Sequence, residues 1–142
     1  MKRKASAVWR GDLKTGTGAI STGSGALSQL PYSFTTRFED APGTNPEELI
    51  GAAHAGCFSM ALSAGLGKAG FKPERIATTA DVTLEKVGES FKITKILLRT
   101  EAKIPNIDEN AFREQAEGAK KNCPVSQALA GTNIALEAKL VK

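Results

Sequence analysis

Two cysteines and one histidine are the side chains of this 142-residue sequence that most readily do chemistry. Cys57 and Cys123 are its only cysteines, and its only histidine, His54, lies three residues before Cys57. From residue type alone, the cysteines could be inert buried thiols, a structural disulfide or a redox-active pair. Free cysteines often behave as small core residues, so the inert interpretation comes first until the surroundings of each thiol are considered.

The two cysteines lie in different local settings. Cys123 precedes Pro124, which indicates the start of a helix, where free N–H groups and the helix dipole favour a thiolate. Cys57 lies in the middle of a long predicted helix beside Phe58 and small residues, where burial raises the pKa of a thiol. Cys57 therefore needs a cation from outside its own helix to become reactive. Arg37 is our candidate, and the alternative is that Arg37 only covers the surface of a strand.

Glu47 extends this set along the same predicted helix. It lies seven residues before His54 and ten before Cys57, which keeps Glu47 and His54 on nearly one face with Cys57 near its edge. Within one helix, Glu47 and Cys57 are nevertheless ~15 Å apart along the axis, so they cannot touch. A shared site needs Arg37 to span the gap, or a second copy of the helix that crosses the first in a dimer.

A zinc site is the metal alternative for these residues. His54 and Cys57, at positions i and i+3, could bind zinc with Cys123 as a third ligand, as in a zinc hydrolase. The set lacks a clear fourth ligand and any Cys-x-x-Cys or His-x-x-x-His spacing. We therefore favour His54 as a core histidine bonded to a backbone carbonyl, and we expect no metal.

The element that must position these side chains is a long helix from Pro46 to about residue 69. Asn45 is a suitable N-cap, Pro46 suits the first turn, and Glu48 takes the third position of a capping box. The helix would be ~36 Å long, about the diameter of a small domain. Its middle is almost entirely Ala, Gly and Ser, which lets other backbones approach closely, so we expect it to run buried through the protein.

The other predicted elements give an α+β order. β structure is expected over residues 5–37, including a short strand at 26–28 and an extended strand at 32–38 that carries Arg37. The later predicted elements are an antiparallel hairpin with one wet face (75–85 and 91–104), a helix capped by Asp108 (109–121), a short helix (124–129) and a strand (132–140).

Length and composition predict one domain over residues 1–142 in a cytoplasmic protein. The sequence has no apolar run of ~18 residues and no apolar segment after its basic start, so neither a membrane span nor a secretory signal is expected. The net charge of +4 arises from residues 1–37, which carry six basic residues and one acidic residue. Too few aromatic residues accompany them to indicate nucleic-acid binding. A non-enzymatic binding module, with a basic N-terminal end and inert cysteines, stays as an alternative function.

The sequence resembles the OsmC (osmotically inducible protein C) family and its sister branch, the organic hydroperoxide resistance proteins. The similarity covers nearly the whole chain and is strongest over residues 44–60 and 123–126, while residues 32–39 resemble the OsmC branch. This resemblance implies an α+β fold in an intertwined homodimer. Antiparallel sheets would pack around long central helices, with active sites at the subunit interface.

The same resemblance implies an activity, a thiol-dependent peroxidase in oxidative and osmotic stress defence. Such an enzyme reduces organic hydroperoxides, and hydrogen peroxide more weakly, to alcohols. By position, Cys57 would attack the peroxide and Cys123 would resolve the resulting sulfenic acid as a disulfide. Arg37 and Glu47 would be the pair that activates Cys57. The resemblance implies no cofactor, and a dithiol reductant such as a lipoyl protein.

Overall fold

The computed structural model describes residues 1–142, which divide into two compact units, residues 1–49 and residues 50–142. The prediction of one domain over the whole chain stays a prediction. In chain order the elements are β1 (Ala5–Arg10), β2 (Thr17–Thr22), β3 (Leu30–Tyr32), α1 (Phe34–Phe38), α2 (Pro46–Lys68), β4 (Arg75–Val87), β5 (Ser90–Lys103), α3 (Glu109–Asn122), α4 (Pro124–Ala128) and β6 (Asn133–Val141).

The first unit contains a three-stranded antiparallel sheet in the order β1-β2-β3. On this sheet the Trp9 and Tyr32 rings pack with their centroids 5.3 Å apart. Gly18 faces both rings, and a Cβ atom there would lie 2.4 Å from the Tyr32 ring and 2.7 Å from the Trp9 ring. The absence of a side chain at Gly18 therefore allows the two aromatic rings to meet.

The predicted short strand at 26–28 is wrong. These residues form a loop, and the third strand is β3 instead. The loop folds back on the preceding strand, since Thr22 N donates to Leu27 O at 2.9 Å. Gln29 then takes a left-handed φ of 49°, which turns the chain into β3.

The predicted extended strand at 32–38 is also wrong, because residues Phe34–Phe38 form α1. Ser33 Oγ accepts a hydrogen bond from Thr36 N at 3.3 Å, and Thr36 Oγ1 accepts one from Ser33 N at 2.8 Å. This capping box supplies local hydrogen bonds that favour a helical turn over the strand that the sequence alternation indicated. Arg37 therefore lies in the last turn of a short helix.

The long helix α2 begins and ends close to where the sequence places it. Asn45 Oδ1 accepts a hydrogen bond from Glu48 N at 2.8 Å, which confirms Asn45 as the N-cap. The side-chain amide of Asn45 also donates to Thr36 O at 3.3 Å. One residue therefore caps α2 and holds the C-terminal half of α1.

Only one stripe of α2 is buried in the single chain, so the expectation that this helix runs buried through the protein is wrong for the single chain. The buried residues recur every three or four positions: Gly51, His54, Phe58, Leu62 and Leu66. The other side, here called the small-residue face, is exposed and consists of Ala52, Ala53, Gly56, Ser63, Ala64 and Gly67, with Met60 as its one large side chain. By length and composition alone α2 could cross a membrane, but its buried stripe packs in the core of the second unit.

The second unit contains a sheet in the order β4-β5-β6. The antiparallel pairing of β4 and β5 confirms the predicted hairpin, and β6 pairs with β5 in parallel. The core lies where α2, β5 and α3 meet, and its buried residues are Phe58, Leu62, Leu66, Ile96, Leu98, Ala102, Ile104, Phe112, Ala116 and Ala119.

The helix α3 confirms its predicted cap, since Asp108 Oδ1 accepts a hydrogen bond from Ala111 N at 2.8 Å. It ends at Asn122, and α4 begins at Pro124 after the single residue Cys123. Cys123 is thus the C-cap of one helix and the N-cap of the next.

Candidate active site

Arg37 and Glu47 form an ion pair within the first unit. Arg37 Nη2 donates to Glu47 Oε1 at 2.8 Å, and Arg37 Nε lies 3.1 Å from Oε1 and 3.3 Å from Oε2. The Glu47 side chain is 10% exposed, whereas that of Arg37 is 37% exposed. The buried carboxylate therefore fixes two nitrogen atoms of a guanidinium that still has a face open for another partner.

An aromatic cleft lies beside this guanidinium in the first unit. The cavity has a volume of about 230 Å³ and is lined by Trp9, Leu13, Tyr32, Ser33, Phe34, Arg37 and Phe38. The Arg37 Cζ atom lies 5.2 Å from the centroid of the Phe38 ring. The cleft thus places apolar surface next to one positive charge, which suits a ligand with a polar end and an apolar body.

The two thiols lie close to one another in the second unit. Both cysteines are free; Cys57 on α2 is half-buried, and Cys123 at the start of α4 is fully buried. Burial raises the pKa of Cys57 above its ordinary 9.0, the Val125 N–H opposes that rise, and a hydrogen bond with Cys123 adds to it. Cys57 is thus held as a neutral thiol by its own surroundings.

Cys123 has the opposite balance. Burial acts to raise its pKa, but hydrogen bonds from Ser126, then from Cys57 and Val125, together lower the pKa below 9.0. Ser126 N donates to Cys123 Sγ at 3.3 Å, and the Cys123 and Ser126 side chains are hydrogen-bonded at 3.2 Å. The directions for both thiols agree with those expected from the sequence.

His54 is not bonded to a backbone carbonyl, contrary to our expectation. Its Nε2 atom lies 2.7 Å from Ser126 Oγ, and its Nδ1 atom is buried without a hydrogen-bond partner. Burial lowers the pKa of His54 below 6.5, so the ring is neutral at neutral pH. Sequence reasoning gave Ser126 no role, although its place three residues after a helix-capping cysteine was a usable signal.

The proposed zinc ligands are not arranged as a metal site. His54, Cys57 and Cys123 do not form a cluster of three ligands that could hold an ion. The Nε2 atom of His54 is engaged with Ser126. The geometry therefore favours thiol chemistry over a zinc hydrolase.

Comparison with known proteins decides the family. The family model described as OsmC-like protein matches residues 38–139. The chain belongs to the OsmC family. Among OsmC relatives, Peroxiredoxin OsmC of Escherichia coli (strain K12) is 59% identical over 127 residues, which cover 89% of each chain. The protein of the same name in Shigella flexneri gives the same values.

Solved structures of the OsmC fold superpose on the whole chain. The OsmC-like protein of Mycoplasma pneumoniae has a TM-score of 0.77 at 18% identity and covers 100% of this chain and 99% of its own. The organic hydroperoxide resistance protein OhrB of Bacillus subtilis has a TM-score of 0.68 at 24% identity, and the match covers 97% of this chain and 98% of the OhrB chain. These similarities confirm the predicted α+β OsmC-like fold.

Proposed function

We propose that this OsmC-family protein is a cysteine-based peroxidase that reduces organic hydroperoxides to alcohols. The observation that carries this function is the contact between two free thiols, Cys57 and Cys123, whose pKa values are shifted in opposite directions. Relatives named as peroxiredoxins, 59% identical over most of the chain, support it. A binding module with inert cysteines explains neither the contact nor the relatives.

The reaction has two chemical steps before reduction. The Cys57 thiolate attacks the distal peroxide oxygen, the O–O bond breaks, and the leaving alkoxide takes a proton to become the alcohol. Cys57 is thereby oxidised to a sulfenic acid. The Cys123 thiolate then attacks the Cys57 sulfur and expels hydroxide, which leaves as water after protonation. A dithiol donor reduces the resulting disulfide through exchange.

The first step needs a cation, because the surroundings of Cys57 favour its neutral form. Arg37, held by Glu47, is the group that we assign to stabilise the Cys57 thiolate and to donate to the peroxide oxygens. Within one α2 helix, Glu47 and Cys57 are ~15 Å apart along the axis. We therefore place the reaction in an intertwined homodimer, in which the exposed small-residue face of α2 permits close approach of a second helix.

The homodimer is tested by sedimentation at micromolar concentration together with an activity measurement. We expect a single dimeric species. A stable monomer with full activity would contradict the assembly but not the thiol chemistry.

The preference for organic substrates rests on the aromatic cleft beside Arg37. An alkyl or aryl hydroperoxide can place its apolar part against Trp9, Phe34 and Phe38, whereas hydrogen peroxide has no apolar part to bury. Burying one such group is worth about 1.5–3 kcal/mol, which corresponds to roughly 10- to 150-fold in rate.

The supporting roles follow from the chemistry. The reductant is a dithiol, for which a lipoyl protein is our candidate. The cytoplasm is the location that we assign, because its reducing pool keeps Cys57 and Cys123 as thiols. The cellular role is defence against oxidative and osmotic stress.

The experiment that tests the function measures thiols lost per mole of peroxide added to the reduced protein. We expect cumene hydroperoxide to remove both thiols of each chain in a one-to-one reaction that yields cumyl alcohol. Hydrogen peroxide should react ~10-fold more slowly or worse. The substitution Phe34→Ala should reduce the difference in rate between cumene hydroperoxide and hydrogen peroxide. Unchanged thiols after cumene hydroperoxide treatment would rule out the peroxidase.

A further inference from the structure

A buried chain of hydrogen bonds leads from Cys123 through Ser126 to His54, and the reaction described above gives Ser126 and His54 no role. Cys123 Sγ is bonded to Ser126 Oγ at 3.2 Å, and Ser126 Oγ is bonded to His54 Nε2 at 2.7 Å. Cys123 and His54 are fully buried, and Ser126 is 4% exposed. Three buried polar side chains thus form a continuous chain of hydrogen bonds. Two of them, His54 and Ser126, are 72 residues apart in the sequence.

We propose that His54 is a positioning residue for disulfide formation: through Ser126 it directs a hydroxyl donor at the Cys123 sulfur and so maintains the thiolate that attacks oxidised Cys57. This inference rests on the proposed peroxidase function. It assigns His54 to the second chemical step alone, since His54 is bonded to Ser126, which in turn is bonded to Cys123.

The single hydrogen of the Ser126 hydroxyl decides which of its two neighbours receives a hydrogen bond from it. A serine hydroxyl has one hydrogen, so it can donate either to Cys123 or to His54 but not to both. When Nε2 carries the ring hydrogen, His54 donates to Ser126 Oγ and the hydroxyl hydrogen turns to Cys123 Sγ. When Nε2 is bare, the hydroxyl donates to His54 and Cys123 must donate its own proton. The state of His54 thus selects between thiolate and thiol.

The neutral ring with its hydrogen on Nε2 fits the thiolate. Burial disfavours a charged His54 and lowers its pKa, so a full imidazolium–thiolate pair is not required. In this tautomer Nδ1 is a bare acceptor, and that atom is the one without a partner. Leaving Nδ1 as a lone pair rather than an N–H avoids an unsatisfied buried donor.

No positive side chain contributes to the thiolate of Cys123. The titratable group bonded to the sulfur is Cys57 from α2, while His54, also from α2, is bonded to Ser126 Oγ. The contributions from α4 come from the Ser126 hydroxyl and from the N–H groups of Ser126 and Val125. The hydroxyl is the only one of these donors that can turn away, so its orientation decides how well the thiolate is held.

The atoms of this step balance without another reactant. The Cys123 thiolate forms the S–S bond with its electron pair, the S–O bond of the Cys57 sulfenic acid breaks, and hydroxide leaves. The proton that Cys123 lost converts hydroxide to water. Cys123 is oxidised and the Cys57 sulfur is reduced by the same electron pair.

The test titrates the Cys123 thiolate by its ultraviolet absorbance in a Cys57→Ser background, where it is the only cysteine. Removal of the hydroxyl by Ser126→Ala, or of the ring by His54→Leu, should move the midpoint upward by about one pH unit, which is a ten-fold loss of thiolate stabilisation. His54→Gln, which keeps an N–H donor near the position of Nε2, should recover most of the shift. A purely structural role for His54 predicts no such rescue.

Ser59→Ala is the matched control. Ser59 is also on α2, and its hydroxyl donates to Thr78 Oγ1 at 2.8 Å rather than to a thiol. Midpoints of the Ser126→Ala and His54→Leu proteins equal to those of Ser59→Ala and the background would overturn the proposal. This titration uses no peroxide, so its outcome is separate from that of the peroxidase test.

A kinetic measurement in the full chain completes the test. After one equivalent of cumene hydroperoxide, Ser126→Ala should form sulfenic acid at nearly the normal rate and the disulfide ~10-fold more slowly. A sulfenic-acid probe and mass spectrometry distinguish the two species. Equal rates of disulfide formation in the variant and the unchanged protein would also overturn the role of the chain.

Discussion

Cys57 and Cys123 have the same side chain and contact each other, yet their surroundings shift their pKa values in opposite directions. Cys123 is the more buried of the two and nevertheless has the lower pKa. The difference lies in the helix: Cys123 is an N-cap whose sulfur accepts from the free Ser126 N–H and is hydrogen-bonded to the Ser126 hydroxyl, whereas Cys57 is inside a helix whose N–H groups are already bonded. Hydrogen bonding to the sulfur therefore outweighs burial.

The largest effect should come from exchanging the two cysteines for serine, one at a time. Cys57→Ser should abolish peroxide reduction, because an alcohol is not ionised near neutral pH. Cys123→Ser should keep the first turnover and leave Cys57 as a sulfenic acid or a more oxidised species. Peroxide consumption measures the activity of each variant, and a sulfenic-acid probe detects the oxidised Cys57. If Cys57→Ser still consumed peroxide, the lower-pKa thiol would be the attacking one and the assignment of roles would reverse.

Loss of the Arg37 cation should have the next largest effect. Arg37→Ala should slow peroxide reduction by ~100-fold or more, as expected when one charged stabiliser of a transition state is lost. Arg37→Lys should restore only part, because an ammonium cannot make the two-pronged contact. The alkylation rate of Cys57 against pH, measured beside the peroxidase rate, shows whether the thiolate is what Arg37 stabilises.

Arg113→Ala is the control for this substitution. Arg113 forms an exposed ion pair with Glu109 on α3, so its loss should leave both rates unchanged. If Arg37→Ala behaved in the same way, Arg37 would be a surface residue and Cys57 would need a different activating group.

Glu47→Gln should cause a smaller loss, about 10-fold. The substitution keeps the size of the side chain and removes the charge that fixes Arg37 through contacts of 2.8 and 3.1 Å. The Glu47→Gln protein still has the Arg37 guanidinium, which the Arg37→Ala protein lacks, so part of the stabilisation of the Cys57 thiolate survives. Steady-state rates with cumene hydroperoxide show which variant loses more activity. A larger loss for Glu47→Gln than for Arg37→Ala would contradict this prediction.

The smallest effect concerns stability. Burial holds the His54 pKa below 6.5, so below that pH the unfolded chain binds a proton that the folded chain does not. The stability from neutral His54 is therefore present above pH 6.5 and is lost as pH falls, by at most ~1.4 kcal/mol per pH unit. Urea titrations should show that, as pH falls below 6.5, the free energy of unfolding decreases more for the unchanged protein than for the His54→Gln protein. Thr100→Val replaces a buried residue that does not titrate, so its free energy of unfolding should differ from that of the unchanged protein by the same amount at every pH.

Features encoded by neighbouring residues could be predicted from the sequence. Asn45 caps α2 and Asp108 caps α3 through atoms three residues away, and the hairpin of β4 and β5 follows from alternation and a tight turn. The small helix α1 was misassigned because Phe34, Thr36 and Phe38 alternate as a strand does. The Ser33 capping box, in which threonine replaces the usual glutamate, was not recognised.

Features that join distant parts of the chain could not be predicted. The parallel register of β5 and β6 depends on the path of the chain through α3 and α4. The bond between His54 and Ser126 joins residues 72 positions apart, and no local pattern pairs a helical histidine with one serine. The sequence reveals the local setting of each cysteine, but only the resemblance to the OsmC family implied that the two act as a pair. The bond between Ser126 and Cys123 has a local signal, whereas the bond between Ser126 and His54 has none.

The position of Cys123 between α3 and α4 also has an electrochemical consequence. Its N–H donates to Ala119 O at the end of α3, and its sulfur accepts from Ser126 N at the start of α4. Hydrogen bonds that favour the thiolate stabilise the dithiol protein relative to its disulfide. A disulfide between Cys123 and Cys57 would therefore have a raised reduction potential and would accept electrons from a weaker donor. In the proposed reaction, the cap that prepares Cys123 to attack thus also favours its return to the reduced state.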